Sequence, residues 1–356
     1  MAINYNKTQR IVILLNYVIV WIFLFTIFAL VRSLGTSEVG AIQTSLRDRV
    51  QLTLVLGSIT GLLSGIFQIY FEEKLYQRLQ FLQAILIKTL LILFLGLVFL
   101  IGAFLYFKKE IDPDLKLSTF MSNPTGLSVI IFILLADNLL SFIRKISQML
   151  GEKTFINLIR GKYYRPRKEE RIFMFLDLKG STTIAEKLGF EKYSYFIQEC
   201  FKDLGVVMDT QAEIYQYVGD EAVLTWKLKE GLKHQNCVNA FFRFKEQLIS
   251  RSKYYLDKYG VEPTFKAGMH LGPVMVAEVG KYKKEIAYHG DTINTAARIQ
   301  AKCNDFNSDF IISKQLKEKI NKTGMRYYPL GSLKLRGKQE TTTLYSMDNK
   351  KVVFIN

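Results

Sequence analysis

The hydrophobic pattern of the chain changes near residue 142. Up to that point the sequence consists mainly of long apolar runs, whereas the remainder alternates apolar and charged residues as a globular domain does. Long uncharged runs predict helices that cross a bilayer, and alternating patterns predict helices and strands with one buried face. The pattern therefore predicts a membrane part followed by a soluble part.

The membrane part contains four runs long enough to cross the roughly 30 Å hydrocarbon layer as helices. They are residues 11–31, 52–70, 84–107 and 127–142. No A-x-A-like cleavage site follows the first run, so it is interpreted as a transmembrane helix rather than a signal peptide. Three glycines spaced four residues apart share one face of the second run, which predicts close packing within the bundle and, as the less favoured alternative, a dimer contact.

Two charged residues fall inside the predicted spans. Lys88 lies close to one end of its span, so its side chain is expected to reach the membrane surface. A carboxylate inside a membrane helix is costly, so Asp137 either senses something or hydrogen-bonds across the bundle. Its place near the end of the fourth run favours the structural role.

Apolar residues continue at helical spacing beyond the fourth run, over residues 141–159, until a basic segment with a proline ends the pattern. This stripe predicts a helical coupling element that pairs with its copy in a dimer, or that lies on the membrane surface. The predicted domains are a four-helix transmembrane domain at 1–143, a helical linker at 144–168 and a soluble domain at 169–350.

The soluble part has the patterns of an α+β domain, a helix-flanked sheet with hairpins. The predicted strands are residues 171–177, 214–218, 221–226, 264–271, 274–279, 285–289, 310–313, 327–335 and 341–347. Helices are predicted through residue 211 after the first strand, and then at 233–259, 292–302 and 314–321.

Composition and charge restrict the partners. The 356 residues carry a net charge of +16, but many of the lysines and arginines flank membrane segments, where a lipid bilayer is a sufficient partner. No basic stripe interleaved with aromatic residues stands out, so no nucleic-acid partner is predicted. The three cysteines form no CxxC pair, which fits a reducing compartment.

Candidate chemistry begins where the first soluble strand ends, at Asp177. Gly180, Ser181 and Thr182 follow it and lead into a helical pattern. Backbone N–H groups at a helix N-terminus suit a phosphate, and the carboxylate suits a divalent ion. Alone, the motif is equally consistent with a strand exit and an N-cap.

Two further motifs supply partners for Asp177. Gly219 and Asp220 form a two-residue hairpin connection, which is expected to bring a second carboxylate beside the first. Two aspartates at one site suit two divalent ions at a phosphate. Asn294 and Arg298 lie one turn apart on a helix face, where a guanidinium suits the charge that develops on a transferred phosphoryl group.

The segments 175–182, 217–221 and 290–298 resemble the three signature motifs of the class III nucleotidyl cyclases, the adenylyl and guanylyl cyclase catalytic domain. The resemblance covers about 171–347 and excludes the membrane part. It implies the class III fold, with a mixed and largely antiparallel sheet flanked by helices. It also implies a head-to-tail homodimer with active sites at the interface and Mg²⁺ or Mn²⁺ as cofactor, two ions per active site.

The resemblance also implies the roles of individual residues. Asp177, Leu178 and Asp220 belong to the metal site of one subunit, while Asn294 and Arg298 of the other stabilise the transition state. Gly180, Ser181 and Thr182 are assigned to the phosphates, together with Arg336 or Lys338, between which the sequence does not decide.

Two positions depart from the family pattern. Adenylyl cyclases usually carry a lysine and an Asp or Thr that read the adenine, and here Gln216 and Ala287 stand at these base-binding positions. ATP is still the substrate that the family favours, and cyclic AMP with pyrophosphate are then the products. The alternatives are a cyclase for GTP or a pyrimidine triphosphate, a diguanylate cyclase, and a degenerate cyclase domain that only binds nucleotide in a membrane receptor.

The predicted location is the inner cell membrane, with several passes. Loops on both sides carry Lys and Arg, so positive charge does not settle the orientation. Four spans put both termini on one side, and a nucleotide-using domain has to face the cytoplasm. The N-terminus and the catalytic domain are therefore expected to be cytoplasmic.

Overall fold

The computed structural model describes residues 7–33, 46–75, 79–110, 113–114, 116–121, 124–320, 325–334 and 341–349. The chain divides into two compact units, Met1–Met149 and Leu150–Asn356. The separate linker predicted at 144–168 remains a prediction.

The first unit is helical. Its described helices are α1 (Lys7–Ser33), α2 (Leu46–Tyr70), α3 (Phe81–Glu110), α4 (Leu117–Met121) and α5 (Pro124–Leu150), with a π-helix at Phe71–Leu75. Four described segments are long and apolar enough to cross a membrane: Gln9–Val31, Val50–Leu75, Phe81–Gly102 and Gly126–Leu150. This agrees with the four predicted runs, although each differs in its bounds, the first least and the fourth most.

The glycine face of α2 packs against α1, as the favoured interpretation predicts. A Cβ at Gly57 would lie 2.7 Å from the Cα of Ile22, and one at Gly61 would lie 2.6 Å from the Cα of Val18. Real Cβ contacts are not this short, so only glycine allows the two backbones to approach so closely. Trp21 is fully buried in the apolar core of this unit.

The structure corrects two expectations about the charged residues of the spans. Lys88 does not reach the membrane surface: it is 1% exposed and its ammonium lies 2.8 Å from Asp137 Oδ2. Asp137 does not lie near the end of its span, because that span extends to Leu150 and places it near the middle. The pattern missed both facts because spacing along one helix does not reveal which side chains face it from another.

Lys88 is the centre of a buried polar cluster, which we call the Lys88 cluster and define as Ser64, Gln68, Lys88, Asp137 and Ser141. The Lys88 ammonium donates to Gln68 Oε1 at 3.0 Å and to Ser141 Oγ at 2.8 Å. Ser64 donates its hydroxyl to Asp137 Oδ1. The cluster therefore joins α2, α3 and α5 through groups that all have partners.

The second unit is α+β, which confirms the predicted fold class. Its strands are β1 (Arg167–Leu178), β2 (Glu213–Val218), β3 (Glu221–Lys227), β4 (Phe265–Val279), β5 (Glu285–His289), β6 (Phe310–Ser313), β7 (Met325–Lys334) and β8 (Thr341–Asn349). The described strands form one sheet in the order β2-β3-β1-β4-β6-β8-β7, with β5 paired to β4. All its pairings are antiparallel except that of β4 with β6.

The helices of this unit are α6 (Glu152–Ile159), α7 (Ser181–Leu188), α8 (Phe190–Asp203), α9 (Leu228–Leu232), α10 (Asn236–Ser250), α11 (Ser252–Tyr259), α12 (Asp291–Ala301) and α13 (Lys314–Lys319). Both faces of β1 are buried, because Met174 belongs to the main core on one face and Phe173 to a smaller core on the other. This central strand carries Asp177 near its end.

Four predicted elements are joined or divided differently in the structure. The strands predicted at 264–271 and 274–279 are one strand, β4, since Gly272 and Pro273 keep their places opposite β1. The helix predicted at 233–259 begins at Asn236 and breaks at Arg251, whose backbone is not helical. The stripe over 141–159 is divided between α5 and α6 at Gly151, which has a φ of 85°.

Glycines also set how α12 lies on the sheet. A Cβ at Gly268 would lie 2.0 Å from the backbone nitrogen of Gln300, and one at Gly272 would lie 2.6 Å from Thr292 Oγ1. These contacts leave no room for a side chain on β4. Helix α12 therefore packs directly on the strand that neighbours β1.

Candidate active site

Asp177 lies near the end of β1 with a neighbour on each side. In the sheet register it is paired with Glu221 on β3 and with Lys266 on β4. The Lys266 ammonium lies 3.0 Å from Asp177 Oδ2, and Gln300 Nε2 of α12 donates to the same oxygen at 3.0 Å. Two donors therefore hold one oxygen of this carboxylate.

Asp220 lies at the tip of the β2–β3 hairpin, as predicted. Gly219, with a φ of 62°, supplies the left-handed conformation that this tight turn requires. The Asp220 Oδ2 atom is buried and accepts no hydrogen bond from the residues that the structure describes. Such an orphaned oxygen is costly unless a ligand supplies the missing partner.

The two aspartates act electrostatically on the same neighbours. Burial and the negative charges of Asp177 and Asp220 raise the pKa of Glu221 to about 7. Burial and the same two charges also raise the pKa of Tyr193 above its usual value. The predicted proximity of the two carboxylates is thus consistent with their shared effect on Glu221 and Tyr193.

The phosphate segment follows β1 closely. Gly180 has a φ of 65° and directly precedes Ser181, the first residue of α7. Gly180 and Thr182 are exposed and Ser181 is half-buried. Lys179 forms an ion pair with Asp309, which ties the segment to the loop before β6.

Leu178 is 1% exposed and belongs to the main core. Its apolar side chain cannot bind a metal ion, so a metal role for Leu178 would belong to its main-chain carbonyl.

Asn294 and Arg298 lie one turn apart on α12, as predicted. Asn294 is exposed, and Arg298 is partly exposed, with Nη1 3.6 Å from Asp291 Oδ1. Among the described contacts, none joins either residue to Asp177 or Asp220. The residue of α12 that does touch Asp177 is Gln300, which sequence reasoning missed.

The two base-binding positions lie on different strands. Gln216 is exposed on β2, next to a register shift, and the partly buried Ala287 lies on β5 opposite Ala277. The residues next to them in sequence are in contact, because the rings of Tyr215 on β2 and Tyr288 on β5 are 4.8 Å apart. Arg336 and Lys338 lie outside the described residues.

Comparison with known proteins decides the family. The sequence profile described as "Adenylate and Guanylate cyclase catalytic domain" matches residues 163–348, which is just over half of the 356-residue chain. The chain belongs to this cyclase family. It contains a class III cyclase domain, which follows four described helices apolar enough to cross a membrane.

The chain is similar in sequence to two adenylate cyclases. Adenylate cyclase 2 of Rhizobium meliloti (strain 1021) is 30% identical over 224 residues, which are 62% of this chain and 62% of the relative. Adenylate cyclase 1 of the same strain is 23% identical over 184 residues, which are 51% of this chain and 28% of the relative. The chain therefore matches less than two thirds of the length of either relative.

A solved structure of a bacterial light-regulated adenylyl cyclase is similar in fold. It is 15% identical, with a TM-score of 0.55, and the match covers 64% of this chain and 67% of that chain. At this identity the likeness shows the fold alone.

The carboxylates of the candidate site are donors that suit a divalent metal ion. Within the described ranges, no group of three or more His, Cys, Asp or Glu side chains is arranged so that it could hold a metal ion. Mg²⁺ does not need such a group, since it is commonly held by one or two carboxylates and by substrate phosphates. The orphaned Asp220 Oδ2 and the negative charge concentrated around it fit such an ion.

Proposed function

We propose that the chain converts ATP to 3′,5′-cyclic AMP and pyrophosphate in a head-to-tail homodimer that uses two Mg²⁺ or Mn²⁺ ions per active site. The observation that carries the metal assignment is the buried Asp220 oxygen, which has no hydrogen-bond partner among the described residues and lies on the hairpin that pairs beside Asp177. Family membership and the names of the two relatives support the reaction class.

The reaction is an intramolecular substitution. The ribose 3′-oxygen bonds to the α-phosphorus, the bond from that phosphorus to the β-phosphate bridging oxygen breaks, and pyrophosphate leaves with that oxygen. The 3′-hydroxyl proton passes to solvent. When bound, the divalent ions would favour loss of this proton and offset the charge of the triphosphate.

The chain's own residues bind and orient the substrate in this scheme. Asp177, Asp220 and the Leu178 carbonyl would hold the ions. Gly180, Ser181 and Thr182 would face the phosphates from the start of α7, with Arg336 or Lys338 as the further cation.

Asn294 and Arg298 are assigned to the other subunit's site. In one chain they show no described contact with Asp177 or Asp220, and Asn294 is exposed. A second chain placed head to tail would bring them to the phosphates. The guanidinium of Arg298 would then stabilise charge on the α-phosphoryl group during transfer.

ATP is proposed over GTP because both named relatives are adenylate cyclases. Gln216 can present either a donor or an acceptor to a base, since its amide can turn over. Ala287 offers no side-chain hydrogen bond. We therefore expect weaker discrimination against GTP than in cyclases that read the base with a lysine and an aspartate.

The four apolar helices would anchor the enzyme in the inner membrane, with the N-terminus and the catalytic unit in the cytoplasm. An even number of spans places both ends on one side, and nucleoside triphosphates are on the cytoplasmic side.

The test is an assay of the full-length protein, purified in detergent, with Mn²⁺ and each of ATP, GTP, CTP and UTP. Products are identified by chromatography and mass spectrometry. The expected result is 3′,5′-cyclic AMP with equimolar pyrophosphate from ATP at the highest rate. Turnover of another triphosphate without ATP would contradict the base assignment, and no cyclic product from any of them would contradict the function.

A further inference from the structure

The oxygens of Asp177 are not equivalent. Gln300 Nε2 and Lys266 Nζ both lie 3.0 Å from Oδ2. No described contact of this kind involves Oδ1. A carboxylate fixed in this way presents its second oxygen in one direction.

Both donors are themselves held in place. Lys266 is 8% exposed and also donates to Asn304 Oδ1 at 3.1 Å. Gln300 is 7% exposed, and its backbone lies against Gly268 of β4, where a Cβ would come within 2.0 Å of its nitrogen. The amide therefore has little freedom to turn away from Asp177.

We infer that Gln300 is a positioning residue for the metal site: it fixes the rotation of the Asp177 carboxylate so that Oδ1 is the atom that faces a divalent ion. This rests on the proposed two-metal function. Hydrogen-bond partners of metal ligands orient the ligand, and their loss typically weakens metal binding about 10- to 100-fold.

The planar amide of Gln300 fixes the direction of its hydrogen bond, which the ammonium of Lys266 does not. An ammonium attracts either carboxylate oxygen from a range of directions, whereas the amide N–H donates along a defined direction. Without Gln300, the Asp177 carboxylate can rotate about its last bond while keeping its ion pair with Lys266. The expected defect is weaker metal binding.

The chain offers a matched control for the loss of one glutamine-to-aspartate hydrogen bond. Gln247 Nε2 donates to Asp203 Oδ1 at 3.1 Å, in a cluster with Arg251 and Tyr255. In the described part of the chain, this cluster has no contact with Asp177. Gln247→Met thus makes the same chemical change outside the metal site.

The experiment titrates Mn²⁺ alone into the full-length protein and measures free Mn²⁺ by electron paramagnetic resonance. Gln300→Met is expected to raise the Kd for Mn²⁺ about 10- to 100-fold, and Gln247→Met is expected to leave it within about twofold of wild type. In turnover, Gln300→Met should raise the KM for Mn²⁺ by a similar factor, with most of kcat recovered at saturating metal.

The outcomes separate this inference from the proposed function. If wild type binds Mn²⁺ and folded Gln300→Met binds it equally well, the inference is wrong and the function stands. If wild type neither binds Mn²⁺ nor forms a cyclic nucleotide, both are wrong. Thermal unfolding without metal shows whether each variant is folded. If Gln300→Met does not fold, Gln300→Asn, whose shorter amide cannot reach Asp177 Oδ2, is titrated in its place and read by the same criteria.

Discussion

The two units of this cyclase each bury charged groups, but these groups differ in whether they have hydrogen-bond and ion-pair partners. In the Lys88 cluster the ammonium has Asp137, Gln68 and Ser141 within 3.0 Å. In the candidate active site, Asp220 has a buried oxygen that accepts no hydrogen bond from the described residues, and other negative charges lie close to it.

This difference separates a structural cluster from a functional one. A cluster whose charges are matched internally leaves no place for a ligand, and removing one member leaves a buried charge alone. A cluster with an unmatched carboxylate is costly to the fold until a cation arrives. The matched charges of the Lys88 cluster therefore indicate a role in helix packing, whereas the Asp220 oxygen, which has no described partner, is the feature expected of a ligand-binding site.

The largest expected effect comes from removing either aspartate. Asp177→Ala and Asp220→Ala should each reduce turnover to below a few per cent of wild type at saturating Mn²⁺, since removal of a group that stabilises the transition state costs about 10²–10³ in rate. Asp257→Ala, an exposed change on α11, serves as the control and should keep wild-type activity. Substantial activity in either active-site variant would contradict the two-metal assignment.

The same variants should differ in stability when no metal is present. Asp177→Ala leaves the buried Gln300 amide without its described partner and Lys266 without its counter-charge, although Lys266 keeps Asn304, and should cost about 1–3 kcal/mol. Asp220→Ala removes an oxygen that has no partner and relieves repulsion, so its melting temperature should equal or exceed that of wild type. Thermal unfolding in chelator checks this, and equal losses in both variants would contradict the contrast.

Variants in the Lys88 cluster should lose stability and keep the affinity for Mn²⁺. Lys88→Met leaves Asp137 as a buried charge alone and should destabilise the protein by about 3–5 kcal/mol. Lys88→Met combined with Asp137→Leu should recover much of that loss. Unfolding in a fixed detergent measures both, with Mn²⁺ affinity expected to stay at the wild-type value in the double variant. A single variant as stable as wild type would mean that the pair is not the centre of the packing.

Mixing inactive chains tests where the active site is assembled. Asp177→Ala and Arg298→Ala are each expected to be inactive, but coexpressed chains should regain about a quarter of wild-type activity. Half of randomly formed symmetric dimers are mixed, and each mixed dimer has one of two sites intact. No recovery, despite heterodimers shown by differently tagged chains, would mean that both groups act within one chain.

The smallest expected effect concerns the base. Gln216→Lys combined with Ala287→Asp supplies the two groups with which adenylyl cyclases of this family read adenine. The ratio of kcat/KM for ATP to that for GTP should rise at least about tenfold, because a site built for specific hydrogen bonds rejects a base that leaves them unpaired. An unchanged ratio would mean that these two positions do not contact the base.

Much of the fold could be predicted from local patterns. The four membrane runs, the Gly219–Asp220 hairpin and the exit of β1 at Asp177 each depend on neighbouring residues in the sequence. The continuity of β4 could not, because Gly272 and Pro273 are typical of a break and only pairing with β1 keeps them in the strand.

The sequence did not predict which side chains are the partners of the buried charged residues. Gln300 and Lys266 reach Asp177 only because β4 is in register with β1 and α12 lies on Gly268. Lys88 meets Asp137 only when α3 and α5 are side by side. The available signal was the glycine pair Gly268 and Gly272, whose spacing marks a place where another element approaches closely.

The most direct test of the central claim, that Asp220, whose buried oxygen has no described partner, belongs to the metal site, is the number of Mn²⁺ ions bound. Full-length wild type and Asp220→Ala are titrated with Mn²⁺ at saturating non-hydrolysable ATP analogue, and free Mn²⁺ is read by electron paramagnetic resonance. The account predicts two ions per active site in wild type, as expected of a two-metal site, and loss of this binding in an Asp220→Ala protein that melts no lower than wild type. Equal Mn²⁺ binding by the two proteins would contradict it.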